Sequence, residues 1–190
     1  MREMSSNRKK VIDTAQRLMR RYGYKGTGIR EILEESRVSR SNFYYHFASK
    51  RQLAEAVIAA WKENLQQVFV SIREREPGAR QSIELFVQTF IDTQMDDAFA
   101  VCPFGRLALE LGESEPELHE LINGVFDEFH REVARLIQQG IDNGEFKQST
   151  DAEVLANALL VAIQGGIVLS HAQGHAKAMM MSCRYILDNA

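Results

Sequence analysis

Three prolines punctuate this chain of 190 residues, and each falls between stretches whose apolar residues recur at helical spacing. Proline has no amide donor and its ring clashes with the preceding helical turn, so Pro77, Pro103 and Pro116 mark places where helices stop or start. Val11, Ile12, Ala15, Leu18, Met19 and Tyr22 share one side of a first helix expected from about Arg8 to Tyr22, with Gly23 as its C-terminal glycine. Residues 1–6 read as a mobile tail. A short second helix follows Thr27, with Ile29, Ile32 and Leu33 inward. A third runs from Arg40 to about His46, and a long fourth from after Ser49 to about Arg75. The Pro77-Gly78 pair breaks the chain. Beyond it the pattern predicts a fifth helix over Ala79 to Met95, a loop at Asp96-Asp97 and a short sixth helix from Pro103 to Leu111. A seventh opens at Glu115-Pro116-Glu117 and stops at Asn143-Gly144. An eighth runs from near Asp151 to near Gly174, and a ninth from His175 to Leu187. No strand signal, sequence repeat or low-complexity tract interrupts the series. The expected fold class is therefore all-α with about nine helices.

Several function classes lose ground at once. Two cysteines, Cys102 and Cys183, are too few for a disulfide framework, which favours a reducing, cytoplasmic compartment. Residues Met1 to Lys10 are polar and charged, unlike a signal peptide. The most apolar run, Val154 to Leu169, is interrupted by Asn157, Gln164, Gly165 and Gly166, so no membrane span and no membrane partner are expected. No Ser-His-Asp ordering or phosphate-cradling glycine loop supports an enzyme or a cofactor. His171 and His175 stand four apart, with His119 and His130 on another helix. Without nearby Cys or Glu that is weak evidence for a metal, and none is expected.

The net charge of −3 hides a strong asymmetry. Residues 1–51 carry thirteen Lys or Arg against five acids, whereas the rest carries ten against twenty-one. A basic head on an acidic body suits a polyanion that meets the head alone. Within that head, helices two and three are joined only by about Ser36 to Ser39. Two short helices joined so tightly make a helix-turn-helix, whose second helix can enter a major groove roughly 12 Å wide. Ser39 is placed to cap the third helix, with Val38 and Phe43 flanking the cap as a hydrophobic staple. Ile32, Leu33, Val38, Phe43 and Phe47 can close a small core with Leu18 and Tyr22. That leaves Arg40, Ser41, Asn42, Tyr44, Tyr45 and His46 facing outward wholly or in part. Such residue types bond bases and phosphates.

The stretch Gly23-Tyr24-Lys25-Gly26-Thr27-Gly28-Ile29-Arg30-Glu31-Ile32, continued by Val38-Ser39-Arg40-Ser41-Asn42-Phe43-Tyr44-Tyr45-His46-Phe47-Ala48-Ser49-Lys50 and closed by Leu53, resembles the signature of the TetR/AcrR regulators. The likeness covers about residues 8 to 55. It implies a DNA-binding domain over 1–52 and a helical ligand-binding and dimerisation domain over 53–190. It also implies roles for residues. Tyr44, His46 and Lys50 match positions that hold the DNA backbone. Arg40, Ser41, Asn42 and Tyr45 match positions that face base edges, and Thr27 and Arg30 match positions that touch phosphate. Two departures stand out. Arg37 occupies a turn position where the family usually has Gly, which would force a side chain into a left-handed conformation at a cost of about 1 kcal/mol. Gly28 stands where a hydroxyl residue is frequent.

The resemblance further implies a palindromic double-stranded DNA operator, a homodimer through helices eight and nine, and an unknown small-molecule effector. Gly165 and Gly166, inside the eighth helix, fit a close helix approach, either between two chains or within one. Trp61, Cys102, Phe104, Phe126 and His130 are the candidate pocket residues. The segment Cys102 to Glu110 is similar to one in a TetR subgroup whose matching cysteine senses electrophiles, and the amides at the start of helix six favour a thiolate there, with Arg106 one turn on to add to this. Cys183 reads as structural. The expected function is a sequence-specific transcriptional regulator, a repressor released by a small molecule or an electrophile. A DNA-architectural or division-control protein on the same head is the alternative, and a cysteine-based enzyme is a third hypothesis.

Overall fold

Helix follows helix through the whole of residues 2–75, 78–96 and 101–190, the part of the chain that the computed structural model describes. In chain order these are α1 (Arg2–Tyr22), α2 (Ile29–Ser36), α3 (Arg40–His46), α4 (Lys50–Arg73), α5 (Ala79–Asp96), α6 (Pro103–Leu111), α7 (Pro116–Asp142), α8 (Ala152–Gln173) and α9 (Lys177–Asp188). A single 3-10 turn, Gly112–Ser114, lies between α6 and α7. Of the nine helices among the described residues, eight keep both ends within a residue or two of the positions that periodicity and caps predict. The exception is α1, which begins at Arg2, so the expected tail is helical. Hydrophobic spacing cannot register a turn of polar and charged residues. Asp96 ends α5 rather than opening a loop, while Pro77 and Asp97 lie outside the described residues.

The described chain divides into two compact units. The first comprises residues 1–64 and 103–124. Its core is set by Val11, Ala15, Met19, Ile32, Phe43, Phe47, Leu53 and Val57, joined by Leu107, Leu111, Leu118 and Ile122, all buried. Trp61 meets Phe104 edge to face, with ring centroids 6.0 Å apart. Tyr22 was expected in this core but is exposed. Gly23, at φ +78°, turns the chain out of α1 directly after Tyr22, and Tyr24 takes the buried place instead. A side chain at Gly23 would also overlap the Glu110 carboxylate. Leu109, expected on an apolar face of α6, is 92% exposed, and Leu121 of α7 is also exposed.

The second unit comprises residues 65–102 and 125–190. Phe69 and Phe86 stack with centroids 4.4 Å apart, and Phe129 packs on both. Glu145 caps α5, accepting from the amides of Ala79 and Arg80 at 3.0 Å each. Its charge lies against the positive end of that helix. Asp151 caps α8 in the same way through the amides of Glu153 and Val154.

α8 corrects one sequence expectation. It is long and apolar enough, by length and composition, to cross a membrane, with a mean hydropathy of 1.8 over its best window. The polar and glycine interruptions are too few to pull that mean down. In the fold it packs on α9, and Leu155, Leu159, Ile163 and Ile167 are buried. The two glycines separate by face. A side chain on Gly166 would overlap Met179 of α9, whereas one on Gly165 would enter open space. Gly166 therefore serves the packing of α8 on α9 within one chain.

Arg37 closes α2 at φ 56°, ψ 31°, the left-handed conformation that a glycine would occupy freely. Arg37→Gly removes that strain and adds a smaller entropic cost in the unfolded chain. The expected outcome is a stabilisation of about 0.5 kcal/mol, read as a melting temperature higher by about 1–2 °C. A lower melting temperature would show that the arginine side chain supports the turn.

Candidate nucleic-acid interface

The turn between α2 and α3 is built from three consecutive devices. Arg37 reverses the chain, Val38 is buried, and Ser39 caps α3 by accepting from the Asn42 amide at 3.3 Å. Phe43 and Phe47, one turn apart, are buried, with ring centroids 5.7 Å apart. With that face fixed inward, helical geometry sends Arg40, Ser41, Tyr44 and Tyr45 outward. All four are exposed, Tyr45 most among the apolar side chains of this helix. Arg40 lies over the Tyr44 ring at 5.7 Å, and the Ser41 hydroxyl shares a hydrogen bond with Ser39 at 3.2 Å. Asn42 and His46 are half-buried on the flank of α3. Asn42 Oδ1 and His46 Nε2 are turned inward and have no hydrogen-bond partner among the described residues. His46 sits edge to face with Tyr45.

The remaining candidates lie around the start of α2 and α4. Arg30 is exposed, loosely paired with Glu31 and Glu34 at 3.6 and 3.8 Å. Thr27 differs from the rest. It is buried and its hydroxyl donates to the Gly23 carbonyl at 2.7 Å. In this structure that hydroxyl holds the α1–α2 turn. Gly28 caps α2 without a side chain. Lys50 begins α4, half-buried, with its ammonium 4.3 Å from the centre of the Tyr24 ring. Burial lowers its pKa from the ordinary lysine value, and the nearby carboxylates of Glu115, Glu110 and Glu31 oppose that shift.

Periodicity gave no hint of the residues beneath this surface. Tyr24 donates to Glu115 Oε1 at 2.9 Å, the Lys25 amide donates to Glu110 at 3.2 Å, and Arg51 pairs with Glu117 at 2.8 Å. Burial, then the bond to Glu115, pushes the Tyr24 phenol up to about 12. The only sequence signal for this set is an acidic run, Glu110 to Glu117, which reads equally well as a solvated loop.

The five candidate pocket residues divide between the units. Trp61 and Phe104 face each other in the first. Cys102, Phe126 and His130 belong to the second. Cys102 is 4% exposed, and its sulfur lies 3.6 Å from the Gln164 amide nitrogen. Arg106, in the first unit, pairs with Glu110 at 3.1 Å. His130 pairs with the Glu153 carboxylate at 3.4 Å. Two clefts of the second unit lie elsewhere. One, of about 500 Å³, is lined by Arg73, Ser82, Arg135 and Gln139, and the other, of about 300 Å³, by Val87, Ile91, Met180 and Cys183. Burial pushes the Cys183 thiol up to about 11, which disfavours the thiolate. Among the described residues no three His, Cys, Asp or Glu side chains gather as metal ligands.

Comparison with known proteins agrees with this geometry. Residues 11–57 match the model for bacterial regulatory proteins of the tetR family. Residues 79–186 match the tetracyclin repressor-like C-terminal domain. The HTH-type transcriptional regulator LmrA of Bacillus subtilis (strain 168) is 29% identical over 167 residues, spanning 86% of each chain. An uncharacterized HTH-type transcriptional regulator in the lacX 3′ region of Lactococcus lactis subsp. lactis is 26% identical over 170 residues, spanning 87% of this chain and 84% of its own. A TetR transcriptional regulator from Chloroflexus aurantiacus J-10-FL superposes with a TM-score of 0.88 at 26% identity, over 99% of this chain and 96% of that one. With a capped helix-turn-helix at its N-terminus and a family match over more than half its length, the chain belongs to the TetR/AcrR family of DNA-binding transcriptional regulators.

Proposed function

We propose that this regulator is a cytoplasmic repressor that binds a palindromic operator as a homodimer and leaves it when an effector reaches the body. Residues 1–52 act as the DNA-binding head and 53–190 as the ligand-binding and dimerisation body. The observation that carries the reading is the outward face of α3. Arg40, Ser41, Tyr44 and Tyr45 are exposed on a helix whose opposite side is locked by Phe43 and Phe47. Arg40, Ser41, Asn42 and Tyr45 face base edges, Tyr44, His46, Lys50 and Arg30 hold phosphates, and Thr27 supports the turn that presents them.

Arg40→Ala relaxes base preference, whereas Arg30→Ala weakens all sequences alike and lowers the salt slope by about 0.9 per lost phosphate contact. These are read by titrating labelled duplexes from the DNA flanking the gene. Unchanged affinity in the Tyr44→Ala, Lys50→Ala double variant would remove this surface from the account.

The other face of α8 supports the dimer. Val154, Val161 and Val168 repeat every seven residues and are 62–65% exposed. Leu169, Met181 and Tyr185 of α8 and α9 are exposed too. A two-fold axis would bury the same patch on both chains. Gly165, open to solvent, leaves room for the partner helix. Val161→Glu is expected to give a folded monomer in sedimentation velocity. Gly166→Leu lowers the melting temperature instead, because its space is filled by Met179. A Val161→Glu dimer as stable as wild type would exclude this face.

The effector is a small molecule or an electrophile acting within the body. Cys102 is the electrophile's target in this reading, and its burial restricts access to small uncharged reagents. A mild uncharged electrophile should release DNA from wild type and leave Cys102→Ser bound. Equal release from both, or from neither, assigns the signal to a reversible ligand.

A further inference from the structure

Lys50 is a half-buried cation that no carboxylate bonds among the described residues. It is the first residue of α4, at the positive end of that helix dipole, and it is half-buried. Among the described residues it makes no hydrogen bond and no ion pair within 4 Å. Its ammonium lies over the face of Tyr24, at 4.3 Å, and the carboxylates of Glu115, Glu110 and Glu31 favour its charge without bonding it. A ring face attracts a cation through its quadrupole and uses none of the three N–H donors specifically. A carboxylate in the same place would compete with a phosphate for the charge, and the ring does so far less.

The ring itself is firmly seated. Tyr24 is buried, its carbonyl accepts from the Thr27 amide at 3.3 Å, and its hydroxyl donates to Glu115 at 2.9 Å. The neighbouring Lys25 amide is held by Glu110. Glu115 carries the ring from the segment that opens α7, and all of these residues belong to the first compact unit. A free lysine side chain loses much rotamer freedom when it is pinned to a ligand. Here that ordering precedes DNA.

We propose that Tyr24, anchored by Glu115, is a positioning residue for DNA binding, its ring face holding the Lys50 ammonium with donors free to meet a backbone phosphate. This rests on the phosphate role of Lys50 in the function proposed above. Neither Tyr24 nor Glu115 touches DNA in this account. Their effect passes through Lys50 alone, which makes it separable from a general loss of structure.

The test is a double-variant cycle on the full chain. The probe is a fluorescently labelled duplex of arbitrary sequence, titrated across a salt series, because phosphate contacts are sequence-independent. Lys50→Met is expected to weaken binding and lower the salt slope by about 0.9. Tyr24→Leu is expected to weaken binding about five-fold when Lys50 is present and not at all beside Lys50→Met. Tyr24→Phe, which keeps the ring face, retains most of the affinity. If Lys50→Met binds like wild type, the phosphate role of Lys50 fails and the proposal with it. If Lys50→Met weakens binding but Tyr24→Leu costs the same in both backgrounds, or nothing in either, the positioning role alone fails. A second measurement needs no variant that must fold. In free wild-type protein the Tyr24 ring current should shift the Lys50 Hε resonances upfield, and ordinary shifts would overturn the proposal.

Discussion

A seven-residue helix cannot hold itself together in water, because the cost of its first turn is not recovered by so few hydrogen bonds. α3 is such a helix, and the face that it exposes depends on how it is held. Phe43 and Phe47 bury one face completely, Val38 closes the entry and Ser39 satisfies an amide at the start. The cap is worth about 1 kcal/mol. The two phenylalanines contribute more, at about 2 kcal/mol for each buried side chain. The exposed face is a consequence of the buried one. Once Phe43 and Phe47 point inward, Arg40, Ser41, Tyr44 and Tyr45 can only point out. Removing the anchor would therefore disperse the exposed surface without touching any residue in it.

The second dependence is electrostatic and lies behind that surface. Acids between Glu110 and Glu117 hold the loop after α1 and the start of α4 within one compact unit. The pair at Arg51 and Glu117 is exposed and contributes little by itself. The bond from buried Tyr24 to Glu115 counts for more, since leaving either group unpaired in a dry setting costs about 1–3 kcal/mol. The basic head is thus positive outward and compensated inward. A uniformly charged head would repel itself, whereas this arrangement keeps Arg30, Arg40 and Lys50 available to an external polyanion.

α8 shows where sequence reasoning reaches its resolution. Gly165 and Gly166 are adjacent, and neighbouring residues on a helix point about 100° apart. One therefore faces Met179 of the same chain and the other faces solvent. A stretch this apolar carries little amphipathic contrast to say which is which, because both of its faces are built from Val, Leu, Ile and Ala. The same lack of contrast makes the helix resemble a membrane span in composition. Only the position of α9 distinguishes the inner side.

Helix order, helix type and the turn between α2 and α3 were determined locally. They follow from side-chain spacing at 3.6 residues, from Ser39, Gly23 and Pro116 at helix ends, and from the short connection that Arg37 closes. The outward residues of α3 were legible for the same reason, since a helix with two aromatic anchors has only one way to face. Tertiary structure decided what no local pattern encodes. It exchanged Tyr22 for Tyr24 in the core, because a single left-handed residue redirects the chain. It engaged Thr27 in the turn and paired Arg106 with Glu110. It placed Glu110 and Glu115 against residues more than eighty positions earlier. Contacts over such separations depend on where whole helices come to rest, and that is set by the summed packing of two cores rather than by the residues that happen to meet.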